Sequence, residues 1–209
     1  MKDILERLVT NYPELKNVVQ DIVEAYDLLI HCYNHKGKVL LCGNGGSAAD
    51  CEHIAGELLK GFMAKRQLPD NVREELIKQG ADEGFPDNLQ GALPAISLVG
   101  QNAFSTAFLN DVNPDFVFAQ MVYGLGVQGD VLIAITTSGN SDNVRNAAIV
   151  ARQKGIKVIG LTGKDGGKLK KFCDVLINAP AEETYRVQEY HIPIYHAICE
   201  MVEKYYWEL

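Results

Sequence analysis

Apolar positions along the chain follow two rhythms. Residues 3–35 repeat them at helical spacing: Ile4, Leu5, Leu8 and Val9, then Val18, Val19, Ile22, Val23, Tyr26, Leu29 and Ile30. Pro13 divides this stretch into a short helix and a longer one. Further on come short, mostly apolar runs that read as strands: 38–42, 94–99, 130–135, 156–161 and 175–177. The segments between them read as helices. One of about 15 residues follows the first strand and ends near Gly61. Another covers 104–125, with a break at Asn113-Pro114, and a third covers 142–154, stopped by Gly155. The last runs from Thr184 to Trp207, with Pro193 expected to kink it. Strands that are apolar throughout and alternate with helices predict an α/β fold, with a parallel sheet covered on both faces.

Residues 63–91 depart from this pattern. They are polar, carry Pro69 and Pro86, and hold one short helix near 71–79. They read as an excursion from the core, either a lid or part of a subunit contact. The organisation expected is an N-terminal helical unit, 1–35, packed on the core and used in oligomerisation, then one domain over 36–209.

Composition narrows the partners. A chain of 209 residues, 47% hydrophobic and 22% charged, can bury one ordinary core. A net charge of −7 argues against duplex nucleic acid or an anionic membrane as the main partner. No apolar run approaches the roughly 20 residues of a membrane span. The amphipathic N-terminus is not read as a signal peptide. The cysteines (Cys32, Cys42, Cys51, Cys173, Cys199) are odd in number and form no Cys-x-x-Cys pair. They read as buried thiols in a reducing cytosol.

The chemistry gathers in loops at strand ends, where open α/β sheets bind ligands. After the strand 130–135 come Thr136, Thr137, Ser138 and Ser141, at the start of a helix. Their hydroxyls, the loop's backbone N–H groups and the helix N-terminus together suit a phosphate without adding positive charge. Such a neutral cradle fits a small phosphorylated metabolite. The earlier loop, Gly43-Asn44-Gly45-Gly46-Ser47, lacks the Gly-x-Gly-x-x-Gly spacing, because Ala49 stands where the last glycine should be. It also lacks the Gly-Lys-Ser/Thr ending of a P-loop. A nucleotide cofactor is therefore not expected. The plain alternative is a tight turn with Ser47 capping the next helix. The turn Gly163-Lys164-Asp165-Gly166-Gly167 reads as a simple connection.

On the helix after the first loop, His53 and Glu57 are four residues apart and share a face. They could hold a divalent metal, pair in proton transfer, or form a solvated surface pair. The last helix carries Arg186, Gln188, Glu189, His191 and His196 among the apolar stripe Ile194, Tyr195, Ile198, Met201 and Val202.

Taken together, these stretches resemble the sugar isomerase (SIS) domain family, and within it the phosphoheptose isomerases. The matching pieces are Cys-Gly-Asn-Gly-Gly-Ser at 42–47, His-x-x-x-Glu-Leu at 53–58, Asn-Asp at 110–111, Thr-Ser-Gly-Asn-Ser at 137–141, Leu-Thr-Gly-Lys-Asp-Gly-Gly at 161–167 and Arg-Val-Gln-Glu-x-His at 186–191, with His196 beyond. The resemblance implies a flavodoxin-like three-layer α/β/α sandwich, assembled as a homotetramer or homodimer with active sites at subunit interfaces. It implies conversion of sedoheptulose 7-phosphate to a manno-heptose 7-phosphate through an enediol, a step towards surface glycans. It assigns Glu57 as catalytic base and His196 as catalytic acid. Asn44, Gly45, Ser47, Asp111, Thr136, Thr137, Ser138, Ser141 and Gln188 become substrate-binding positions. His53, Glu57, Gln188 and His196 become the ligands of one zinc ion per subunit. Gln188 and His196 are eight residues apart, about 12 Å along a straight helix, so their joint reach to one metal needs explaining.

Ala48 and Tyr185 depart from the pattern, standing where these enzymes often carry His and Asp. Two other members of the fold offer rival readings: a non-enzymatic protein that binds the replication initiator protein DnaA, and a sugar-phosphate sensor attached to a DNA-binding module. Retention of Glu57 and His196 favours the enzyme over the first. The absence of a basic appended module counts against the second.

Overall fold

The structure is a computed structural model that describes residues 1–207. Residues 208 and 209, the end of the expected 36–209 domain, lie outside the described residues. Two helices open the chain, α1 (Lys2–Asn11) and α2 (Val19–Asn34), separated by a tight 3-10 turn that begins at Pro13. Strand β1 (Val39–Gly43) leads into α3 (Gly46–Leu59), and the excursion holds α4 (Asp70–Lys78). There follow β2 (Ala95–Ser97), α5 (Asn102–Asp111) and α6 (Val117–Leu125). Next come β3 (Val131–Thr136), α7 (Asp142–Gln153), β4 (Lys157–Thr162) and β5 (Val175–Asn178), and α8 (Thr184–Tyr206) closes the chain. Pro193 does not end α8. The break expected at Asn113-Pro114 is present: the Asn113 side chain accepts the Asp115 N–H at 2.9 Å and caps a 3-10 turn between α5 and α6.

All five strands are parallel, in the order β2-β1-β3-β4-β5. Side chains alternate between the two faces of the sheet as the pleat requires. Leu41, Ile133 and Ile159 are in register and face the layer of α1, α2, α3 and α8. Leu40, Leu132 and Val158 face α6 and α7. The expected three-layer sandwich is therefore present, with a separate apolar core on each side of the sheet. From β1 the chain goes outward to β2 and then returns past β1 to β3. The winding reverses between β1 and β3, and their carboxyl ends flank the crevice where doubly wound sheets bind ligands.

The excursion is tied off at its base, where the Gly91 N–H donates to the Arg66 carbonyl at 2.6 Å. Its α4 buries no residue. Among the described residues no helix is long and apolar enough to cross a membrane.

Candidate active site

The loop after β3 forms a cradle of hydroxyls. Thr136, at the end of β3, is buried, and its Oγ1 lies 3.0 Å from Ser141 Oγ. Ser138 Oγ accepts the Asn140 N–H at 3.2 Å. Ser141 sits at the N-cap of α7 without spending its hydroxyl there. The side chains of Thr137, Ser138 and Asn140, just before α7, line one cavity of about 440 Å³. Its far wall is Lys164, Asp165, Ala181 and Glu182. The turn 163–167, expected as a plain connection, is therefore part of the pocket. It is locked to the cradle by the Leu169 N–H on the Gly139 carbonyl at 2.9 Å and the Lys168 N–H on Asn140 Oδ1 at 3.1 Å.

The loop after β1 stands beside this cradle. Asn44 and Asn143 exchange amide hydrogen bonds, both 2.9 Å. Gly45 holds φ +56° and ψ −121°, a conformation that glycine adopts at little cost and side-chain-bearing residues avoid. Ser47 does not cap α3; Gly45 occupies the N-cap, and Ser47 is buried within the first turn.

A second cluster lies further along α3 and α8. His53 Nε2 is 3.3 Å from Glu57 Oε1 and 3.4 Å from His196 Nε2. Its Nδ1 lies 2.9 Å from the Tyr195 hydroxyl. Phe62 stacks on the His196 ring at 5.5 Å. Burial, then the neighbouring His53, lowers the His196 pKa below its ordinary value, which favours a neutral imidazole. Glu57 is mostly buried, and its Oε2 makes no hydrogen bond but lies 3.6 Å from the Lys60 ammonium. A cleft of about 200 Å³ between α1 and α8 reaches His196.

A SIS domain sequence model matches residues 96–202, and a second SIS domain model matches 4–78. A phosphoheptose isomerase of Nitratiruptor sp. is 38% identical over 97% of this chain and 96% of its own length. One of Clostridium acetobutylicum is 38% identical over 98% and 95%. The chain belongs to the SIS domain family. The solved structure of phosphoheptose isomerase GmhA from Neisseria gonorrhoeae superposes on this SIS domain with TM-score 0.75 at 35% identity, covering 96% of this chain and 93% of that one. A phosphoheptose isomerase from Francisella tularensis gives 0.77 at 29%, covering 97% and 96%.

Within one SIS chain the expected site residues fall into two groups. Asn44, Gly45, Ser47, Thr136, Thr137, Ser138 and Ser141 gather at the carboxyl ends of β1 and β3. His53, Glu57 and His196 form the other group. Glu57 lies eleven residues along α3 from Gly46, about 16 Å down the axis. Gln188 belongs with the first group, because its side-chain amide packs against Gly46 at the start of α3. Asp111 joins neither: it is exposed at the end of α5, and its carboxylate accepts the Asn110 side-chain amide at 2.9 Å.

Three of the four expected zinc ligands are therefore neighbours in a single SIS chain, and Gln188 is not. Zinc–nitrogen bonds of 2.0–2.1 Å place neighbouring donors of a tetrahedral site about 3.3 Å apart. The His53–Glu57 and His53–His196 separations match that edge. Their imidazole and carboxylate donors fit zinc. Among the described residues, however, no three His, Cys, Asp or Glu side chains converge closely enough to enclose an ion, and Gln188 stands apart.

Sequence reasoning missed Asn140, Asn143, Lys164, Asp165 and Tyr195. The asparagines sat in a loop already rich in polar residues. Tyr195 was counted as core because its ring is buried, and its hydroxyl is what reaches His53.

Proposed function

We propose that this SIS domain protein is an aldose–ketose isomerase that converts sedoheptulose 7-phosphate to D-glycero-D-manno-heptose 7-phosphate. The observation that carries the reading is the pairing of a neutral hydroxyl cradle with a Glu57–His53–His196 cluster in one chain. Phosphate bound at the loop 136–141 anchors the far end of the sugar and orients its reacting carbons. Glu57, mostly buried and with its second oxygen 3.6 Å from the Lys60 ammonium, takes the proton from the carbon beside the carbonyl. His196, kept neutral by burial, hydrogen-bonds the carbonyl oxygen and gives it a proton as the enediol forms; Glu57 then returns its proton to the former carbonyl carbon while His196 recovers one from the neighbouring hydroxyl. Were their donors drawn together, His53, Glu57 and His196 would be the protein ligands of a zinc ion, which would polarise that oxygen.

Along α3 the two groups lie about 9 Å (Ser47 to His53) to 16 Å (Gly46 to Glu57) apart, and residues of a second subunit would complete each site, as the family resemblance implies. Self-association has a surface available. Helix α5 buries none of its residues, and Phe104, Leu109, Val112, Phe116 and Tyr123 are exposed on α5, α6 and their link. The free cysteines suit a reducing cytoplasm.

The test is incubation with a panel of phosphorylated ketoses, with and without chelator, followed by NMR. Glu57→Gln and His196→Ala should each abolish turnover and leave folding and phosphate binding intact. Full activity in either variant rules this mechanism out.

A further inference from the structure

The wall facing the hydroxyl cradle is charged. A phosphate monoester brings about two negative charges at neutral pH. Thr136, Thr137, Ser138 and Ser141 offer it hydrogen bonds but no charge. Among the described residues lining the cavity, Lys164 is the one cation, and it shares the wall with two acids, Asp165 and Glu182. Arg145, the fourth residue of α7, pairs with Asp142 and does not line the cavity. Asp165 is occupied by its own turn, where Oδ1 accepts the Gly167 N–H at 3.0 Å. Glu182 is the partner of Lys164, whose Nζ donates to Oε1 at 2.6 Å.

Backbone and side chain of Lys164 are held very differently. Its N–H donates to the Ala181 carbonyl at 3.1 Å, and the preceding Gly163 N–H donates to the Thr137 carbonyl, on the cradle itself, at 2.9 Å. The side chain is 68% exposed and that of Glu182 is 71% exposed. An ion pair in so much water contributes little, and the ammonium ends a flexible four-carbon stem. A phosphate dianion in this cavity would offer Nζ more charge than a carboxylate does, on three acceptor oxygens.

We propose that Lys164 is a phosphate-binding residue restrained by Glu182: the two form an exchangeable ion pair, and the phosphoryl group of the sugar displaces Glu182 from Lys164. An unphosphorylated sugar has no charge with which to win that exchange, so the pair sets specificity for the phosphorylated substrate. This deepens the isomerase reading and rests on it for kinetics; binding of inorganic phosphate does not depend on the reaction.

Calorimetric titration of the full chain with inorganic phosphate at pH 8, where it is mostly dianionic, tests the exchange. Lys164→Gln should weaken binding about tenfold. Glu182→Gln should tighten it about two- to fivefold, the worth of the exposed pair it removes. In the Lys164→Gln background the same Glu182→Gln change should have a much smaller effect, because its main route of action is gone. A pair that merely braced the 163–167 turn would lose affinity whichever partner was replaced, so the opposite signs separate the two roles. With sedoheptulose 7-phosphate, KM should move in the same directions and kcat should stay within about twofold. Lys164→Gln binding phosphate as wild type does, or Glu182→Gln binding it more weakly, overturns the proposal. If the wild type turns over no sugar phosphate while the two variants still move phosphate affinity in opposite directions, the isomerase reading fails and the Lys164 assignment stands.

Discussion

Arg66 and Glu203 form an ion pair 2.7 Å apart with neither side chain exposed at all. The guanidinium also donates to the carbonyls of Leu58 and Glu57, both at 2.6 Å, and so closes the end of α3. Its face lies 4.7 Å over the Trp207 ring. The carboxylate, on α8, accepts the N–H groups of Phe62, Met63 and Ala64 at 2.8, 2.7 and 3.2 Å. Burial alone would raise the Glu203 pKa, but these donors and Arg66 outweigh it and leave it below its ordinary value. The pair thus fastens the root of the excursion to the helix carrying Glu57 and to the helix carrying His196.

Removing one partner should leave the other buried and uncompensated. Arg66→Met or Glu203→Gln is expected to cost about 3–5 kcal/mol in urea unfolding. The double variant Arg66→Met/Glu203→Leu should cost less than the two single losses added together. A single-variant loss below about 1 kcal/mol would show that the pair does not hold these elements together.

His191 should make stability depend on pH. It is fully buried on α8, its Nε2–H donates to the Thr162 carbonyl at 3.2 Å, and its Nδ1 has no partner. Burial lowers its pKa from 6.5 to about 4, against the opposing pull of that hydrogen bond. As pH falls, the unfolded chain takes up this proton near 6.5 and the folded chain only near 4. The contribution is whole above pH 6.5 and is lost as pH drops through about 4. A gap of that size corresponds to about 3 kcal/mol. Unfolding of wild type and His191→Gln between pH 7 and 4 should converge by that amount; parallel curves would mean His191 titrates normally in the fold.

Ser138 should act on substrate binding rather than on chemistry. It lines the cavity at the cradle, away from the Glu57 cluster. Ser138→Ala removes a donor used equally in ground and transition states, so KM should rise several-fold with kcat nearly unchanged. A fall in kcat at constant KM would place Ser138 in the reacting step instead.

Much of this was legible in the sequence because the cues were local. The apolar runs gave the strands within one or two residues, and the reversal between β1 and β3 put both loops on one crevice. The i,i+4 spacing of His53 and Glu57 was enough to bring their side chains together. What escaped depended on tertiary register. Helices α3 and α8 lie side by side so that Gly46 meets Gln188 and His53 meets Tyr195 and His196. No periodicity announces that alignment, and it is what separates Gln188 from the cluster it was expected to join. Arg66 looked like one more charge in a polar excursion, because its partner Glu203 is 137 residues away.

Gly139 should prove the least replaceable residue of the cradle. Its φ of +67° is one that side-chain-bearing residues adopt at a cost of roughly 1–2 kcal/mol. A Cβ there would also overlap the Gly166 carbonyl, where the two loops press backbone to backbone. Gly45, at φ +56° and ψ −121°, makes a conformational demand of its own but has open space where its Cβ would go. Gly45→Ala should therefore cost only the conformational share. Gly139→Ala should add about 1–3 kcal/mol of overpacking and force the 163–167 turn away from Ser138 and Asn140. The melting temperature should fall further for Gly139→Ala than for Gly45→Ala, and KM for the phosphosugar should rise at least tenfold as the cavity wall shifts. Equal thermal cost in the two variants would mean that the loops do not bear on each other in solution.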